Sequence, residues 1–434
     1  MQFAPDEKPP GWGPAMLLVA GSCVVGGVTG LIGVAFLFAL RHGNSARLAL
    51  TEYLHQGPPV LGWLVLVMIV ACASALAAWL VVRFAPTAAG SGVPYVEKIL
   101  RGHDVPRHAG VLPVKFFGGI IAMSSGLLLG REGPMVQMGA VIGEKIGRLL
   151  PGVAGAWKSL MTAGAGAGLA TAFNAPIGGT VFILEEVQRR VTPMAFILAT
   201  AATVSAVLVQ RAVFHVPQDF HVALPPSVPA EAVWLFAVFG ALLGLVGILY
   251  NRLLLALVAL SSRWAPIPVA AKAGAVGVVV GTVGWFQPTW VGGGDEITQS
   301  ILGGAPVLFF GLVAARFLLG PLSYAAGTPG GLFAPIITLG ASLGIAFGVL
   351  QQIVAPDLAI PPVAFAVAGM AGLFTATIRA PITGIVICLE MTGCYELGFP
   401  MLTACLGAFL IPTLAGSLPV YDSLASIGTA KRGL

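Results

Sequence analysis

The stretch GREGPMVQMGAVIG, Gly130 to Gly143, carries Arg131 and Glu132 inside a run that is otherwise uncharged from Phe116 to Ile142. A charge at bilayer depth costs several kcal/mol, so an intramembrane acid usually faces a cavity or a pathway. The plain alternative is a surface ion pair between Arg131 and Glu132 on a loop joining two spans, which would contribute little. The stretch also recurs: it aligns without gaps on GLFAPIITLGASLG, Gly331 to Gly344, 201 positions later, sharing the first glycine, Pro134/Pro335, Gly139/Gly340, Ala140/Ala341 and Gly143/Gly344. A second pair follows in the same order at 205 positions, FNAPIGGTVFILEE (Phe173 to Glu186) on IRAPITGIVICLEM (Ile378 to Met391), and it matches Glu185 with Glu390. The chain is therefore read as a duplication. Its first repeat covers about residues 14–213 and its second about 231–434, with a polar, Pro-rich linker at 214–230.

With 57% hydrophobic and 9% charged residues, and a mean hydropathy of +0.94, the chain is no soluble domain with a charged surface. It reads as an all-α polytopic membrane protein. Uncharged runs of spanning length are Leu61 to Val82, Ser159 to Leu184, Ala273 to Gly294, Ile297 to Ala315, Phe317 to Pro356 and Leu397 to Tyr421. The 58 glycines and 32 prolines are too many for straight spans, so broken helices are expected where protein or a water-filled cavity surrounds them.

The net charge of +5 is not interleaved with aromatics in the manner of a nucleic-acid surface. It is read as positive-inside loops, Glu97 to His108 and Glu185 to Val191, both placed in the cytoplasm. The first eleven residues lack the basic region of a cleaved signal, so the first span is expected to be retained. Cys23, Cys72, Cys388, Cys394 and Cys405 have no metal-type spacing and are read as reduced core residues. The six histidines form no paired-ligand pattern, and no cofactor is expected.

Membrane repeats of this size suggest a binding site near the midplane, between the halves and built from discontinuous helices. Three glycine-flanked turns enter apolar helices: GSGVP (Gly90 to Pro94), GREGP (Gly130 to Pro134) and GGLFAP (Gly330 to Pro335). Proline suits a first helical turn, glycine lets the backbone approach a ligand, and the free N–H groups with the positive dipole end make an anion site. Any one of these turns could be a packed helix cap. Three of them, two related by the repeat, point to an anion pathway.

GSGVP, KFFGG followed by GREGP, GGLFAP and the late LPVYDS (Leu418 to Ser423) occur in the order and roughly the spacing of the CLC chloride channels and transporters, which this chain resembles over nearly its whole length. The resemblance implies an all-helical homodimer with a pore in each subunit, built from two helical repeats of inverted topology whose broken helices meet at a mid-membrane anion site. It implies that Ser91 and Tyr421 hydroxyls and the N–H groups of Leu332 and Phe333 hold the anion, with Gly92, Gly133 and Arg131 in support. Glu132 would be the gating glutamate. Glu186 would be the inner proton-transfer acid of the exchangers, near Glu97 and Lys115, a lysine expected close to both carboxylates. Dimer contacts would fall near Pro176, Pro193, Pro381 and Pro400. The sequence ends at Leu434 without room for cytoplasmic CBS domains, so no nucleotide regulation is expected.

Blander readings stand beside these. Glu185 and Glu186 could end a helix beside Arg189 and Arg190, Lys115 could snorkel at a span end, and Tyr421 alone would be an interfacial aromatic. For Glu185 the structural role is preferred; for Glu186, proton transfer. The functional expectation is chloride/proton exchange in the cell inner membrane, by a multi-pass homodimer in lipid with no nucleic-acid partner. A passive voltage- or pH-gated chloride channel is the alternative. An enzyme using Glu132 and Glu186 as an acid/base pair is set aside, because no nucleophile or metal motif accompanies them.

Overall fold

The computed structural model describes residues 2–3, 11–102, 110–151, 153, 155–214, 219–222, 228–264, 266–304, 310–358 and 360–430. The end of the loop expected at Glu97 to His108 and much of the 214–230 linker lie outside them. The described chain is helical apart from Gln2–Phe3 paired in parallel with Arg190–Val191. Seven helices are long and apolar enough to cross a membrane: Trp12–His55, Pro59–Phe84, Pro193–Phe214, Ala230–Arg263, Val269–Phe286, Phe333–Val354 and Tyr395–Leu414. Their outward faces carry Trp79, Leu208, Leu249 and Leu406, as lipid-facing helices require.

Three of the uncharged runs of spanning length are broken, as their glycines and prolines lead one to expect. Ile297 to Ala315 is divided between Asp295–Leu302 and Phe310–Ala325, and Gly304 adopts φ +81° after the first of these helices. Ser159 to Leu184 is divided between Ala156–Phe173 and Pro176–Phe182, with Asn174 left-handed at the break. The 40 residues from Phe317 to Pro356 likewise split at Gly327 (φ +75°), before Phe333–Val354 begins. Cys388, Cys394 and Cys405 are buried as expected, but Cys23 and Cys72 are exposed on outward helix faces, because a thiol is as compatible with lipid as with a core.

The two halves are related by a local two-fold. Gly130 and Gly331, equivalent in the sequence alignment, form an antiparallel bridge with each other, Gly130 N–H to Gly331 O at 2.9 Å and Gly331 N–H to Gly130 O at 2.7 Å. Two equivalent residues can exchange the same bond only across an axis that passes between them. Because the bridged segments run in opposite directions, the helices they lead into, Glu132–Leu149 and Phe333–Val354, leave the centre in opposite senses. This is the inverted topology. Packing repeats it: Gly139 lies against Gly164 in one half, and Gly340 against Gly369 in the other. Small residues let these backbones touch, which supplies the van der Waals attraction that replaces the hydrophobic effect within lipid.

Candidate anion site and inner acid cluster

The three predicted turns converge. Gly90 bridges Pro329 in parallel just beside the Gly130–Gly331 pair, so GSGVP, GREGP and GGLFAP meet at the molecule's centre. Each turn feeds a helix: Val93–Leu100 behind left-handed Gly92 (φ +86°), Glu132–Leu149, and Phe333–Val354. A side chain at Gly133 would place its Cβ 2.7 Å from Ser91 Cα, so glycine there is what allows the first two turns to touch.

Ser91 and Tyr421 are buried, with their hydroxyls 3.3 Å apart. One of the two hydroxyls donates to the other. The Tyr421 ring lies 6.0 Å from the Phe333 ring, and Phe333 is enclosed by Phe173, Phe182 and Phe374. Leu332 is buried at the start of the Phe333 helix.

The Phe333 N–H already has a partner in a carboxyl oxygen. Glu132, 1% exposed, accepts it on Oε1 at 2.6 Å, while Oε2 has no hydrogen-bond partner among the described residues. Gly130 and Gly331 flank the carboxylate so closely that a Cβ on either would collide with it. A carboxyl group thus occupies the positive end of a helix from the opposite half.

Arg131 does not pair with Glu132 by hydrogen bonding. Its guanidinium donates to Asp219 (2.8 Å), Asp295 (2.9 Å) and the Ala172 carbonyl (2.8 Å) on the wall of a cavity of about 410 Å³ that also reaches Gly130 and Ala334. Arg131 and Glu132 are thus no surface pair: Arg131 ties its turn to these three other partners. Asp219 belongs to the described part of the linker. Burial pushes its carboxyl above the ordinary aspartate value, and Arg131 draws it back.

A second polar group lies at the other end of Val93–Leu100. Glu97 and Glu186, 1% and 3% exposed, gather with Asp422, Arg101 and Arg189. Arg101 reaches Glu97 at 3.3 Å and Asp422 at 3.6 Å, while Arg189 reaches Glu186 at 3.4 Å and Asp422 at 3.1 Å. Lys115 is not the cation of this group, contrary to expectation. It is fully buried and donates to the Gly90 carbonyl at 2.6 Å. The Ser91 N–H of that same peptide unit donates to the Tyr324 hydroxyl at 3.4 Å, so the unit carrying Ser91 is held at both ends.

Glu185 and Glu186 are adjacent on a π-helical turn, Ile183–Val187, yet do different things. Glu185 turns away from the cluster and accepts the Ile382 and Thr383 N–H groups at 3.1 and 2.7 Å, at the start of Pro381–Thr392. Its repeat mate Glu390 accepts the Ile177 and Gly178 N–H groups at 3.1 and 2.7 Å, at the start of Pro176–Phe182. The structural role preferred for Glu185 is realised as a reciprocal cap. Sequence reasoning missed Arg101, Asp219, Asp295, Tyr324 and Asp422 as partners. The available signal was Asp422 beside Tyr421 in LPVYDS.

A duplicated helical membrane frame with inward helix N-termini, hydroxyl donors and a buried acid defines a family of anion-transport proteins. Residues 73–413 match the family described as voltage gated chloride channel, Voltage_CLC, and the chain belongs to it. It is 37% identical over 416 residues to the H(+)/Cl(-) exchange transporter ClcA of Vibrio vulnificus strain YJ016, covering 93% of this chain and 88% of that one. Over 430 residues it is 36% identical to the ClcA of Citrobacter koseri, covering 96% and 89%. Among solved structures it is similar to a slow cyanobacterial Cl-/H+ antiporter, with TM-score 0.91, 32% identity and coverage of 96% and 99%. A CLC-type fluoride/proton antiporter shares the fold at TM-score 0.78 and 22% identity, over 96% and 99% of the two chains.

Proposed function

We propose that this protein exchanges chloride for protons across the cell inner membrane. The observation that carries the reading is the Glu132 carboxylate on the Phe333 N–H, at the centre of three converging turns. An ionised carboxylate and a chloride ion compete for the same N–H dipoles. Ser91, Tyr421, Leu332 and Phe333 hold the anion; protonated Glu132 leaves the seat and carries its proton. Relatives named as transporters of both ions support transport rather than enzymatic catalysis.

Glu186 delivers protons from the cytoplasmic side. Among the described residues three carboxyl groups, Glu97, Glu186 and Asp422, face two guanidiniums, Arg101 and Arg189, in a largely buried group. Such a group titrates as a set and is suited to holding one exchangeable proton. The chain acts as one membrane domain, and two copies pair on helices near Pro176, Pro193, Pro381 and Pro400, where Ile177, Ile382 and Phe399 face outward.

Flux measured in liposomes tests the reading. The parent should move protons uphill when driven by a chloride gradient. Glu132→Gln and Glu186→Ala should each abolish proton movement while chloride still passes. Uphill proton movement in the folded Glu132→Gln protein would sink the gating role. Chloride flux in the parent with no proton movement would make the protein a passive channel.

A further inference from the structure

Two tyrosine hydroxyls meet buried Ser91 in different ways: Tyr421 Oη lies 3.3 Å from its hydroxyl, whereas Tyr324 Oη accepts its N–H at 3.4 Å. Tyr324 stands near the end of Phe310–Ala325 and lines a cavity of about 1100 Å³ that also reaches Gly90, Gly92 and Leu424. Gly90 makes room for it, since a Cβ there would lie 2.9 Å from the Tyr324 hydroxyl. The turn does not need Tyr324 to stay in place. The Gly90 carbonyl accepts Lys115 Nζ at 2.6 Å and the Gly330 N–H at 3.1 Å, and the Gly90 N–H donates to the Thr328 carbonyl at 3.0 Å. Those bonds, all shorter than the Tyr324 contact, hold the peptide unit between Gly90 and Ser91 without a phenol. What the phenol oxygen does is stand where any acceptor of the Ser91 N–H must stand. That N–H lies two residues before Val93–Leu100, at a helix start whose positive end attracts anions.

We propose that Tyr324 masks a donor: its hydroxyl keeps the Ser91 N–H from the anion, so that the site stays weak enough on the cavity side for the anion to leave. The inference rests on the reading of Ser91 and Tyr421 as anion donors. A transport site has to bind an ion well enough to admit it and weakly enough to release it, and each added donor moves that balance toward retention. A backbone amide has one proton to give, and the phenol oxygen takes its place in line. With that oxygen gone, the buried N–H lacks a partner, and an anion beside Ser91 becomes its acceptor.

Calorimetric chloride titration of the full chain in detergent tests this with a pair of variants, Tyr324→Phe and Tyr421→Phe, each of which removes one oxygen and keeps the ring. Tyr324→Phe should bind chloride about ten-fold tighter, the scale of one N–H given to a charged acceptor, and its chloride turnover in liposomes should fall by a similar factor. Tyr421→Phe should shift affinity the other way. A prop for the turn predicts weaker binding in Tyr324→Phe, and so does a hydroxyl that itself holds the anion; weaker or unchanged binding therefore overturns the proposal. If Tyr421→Phe also binds as the parent does, the anion lies away from Ser91, and the reading beneath the proposal falls with it. A second measurement needs only the parent. In protein labelled with heavy nitrogen at serine, the Ser91 amide proton should move little through a chloride titration. A large downfield shift would place the anion on that N–H and overturn the masking role.

Discussion

Glu132 is held in place by what its neighbours lack. With glycine at 130 and 331, both carboxylate oxygens have room at the seam between the halves, and a single methyl at either position would occupy that room. Gly331→Ala is expected to push the acid from the Phe333 N–H and cut coupled proton movement about ten-fold, the scale of one lost charge-assisted hydrogen bond. Passive chloride flux should persist, and paired chloride and pH electrodes on reconstituted protein would read both. Tyr421→Phe keeps the ring against Phe333 and removes only the hydroxyl near Ser91. Chloride affinity measured by calorimetry should fall roughly ten-fold, on the same reasoning. Unchanged affinity would move the anion away from Tyr421. At this scale the sequence was informative about types and poor about partners. GREGP announced a buried acid, yet nothing local to it pointed to Phe333, Asp219 or Asp295, because those contacts span 88 to 201 residues.

Among the helices, the reciprocal caps have the clearest energetic consequence. Glu185 and Glu390 each satisfy two N–H groups at a helix start in the opposite half. Glu185→Gln and Glu390→Gln should therefore each cost about 1–2 kcal/mol and lower the unfolding midpoint in detergent by similar amounts. Neither change should uncouple protons from chloride. A loss of coupling in Glu185→Gln alone would show that Glu185 belongs to the proton route instead. The duplication and the match of Glu185 with Glu390 were legible in the sequence. That each acid caps the other half was not, since similarity alone does not distinguish a parallel from an inverted pair. Hydropathy did not locate the breaks near Gly304 and Gly327 for a related reason: it counts apolar residues and is blind to left-handed turns.

Across the whole molecule, Arg131 ties three distant segments together: the linker at Asp219, the helix start at Asp295 and the end of Ala156–Phe173 at the Ala172 carbonyl. Arg131→Gln leaves the partly buried Asp219 without its cation and should cost about 1–3 kcal/mol, seen as a lower unfolding midpoint. Adding Asp219→Asn should recover part of that loss, and a double-mutant cycle measures the coupling. Strict additivity would mean that the linker is held by other bonds, such as Phe220 N–H to the Met391 carbonyl. The Gly130–Gly331 axis carries a further consequence. The positions equivalent to Glu132 and Glu186 are Phe333 and Met391, so both proposed proton carriers come from the first half, while the Phe333 amide and the Tyr421 hydroxyl come from the second. A chain made of the first half twice would set two acids face to face on the axis. One made of the second half twice would have no acid at either position. The halves share a shape and have divided the chemistry, so neither can stand in for the other.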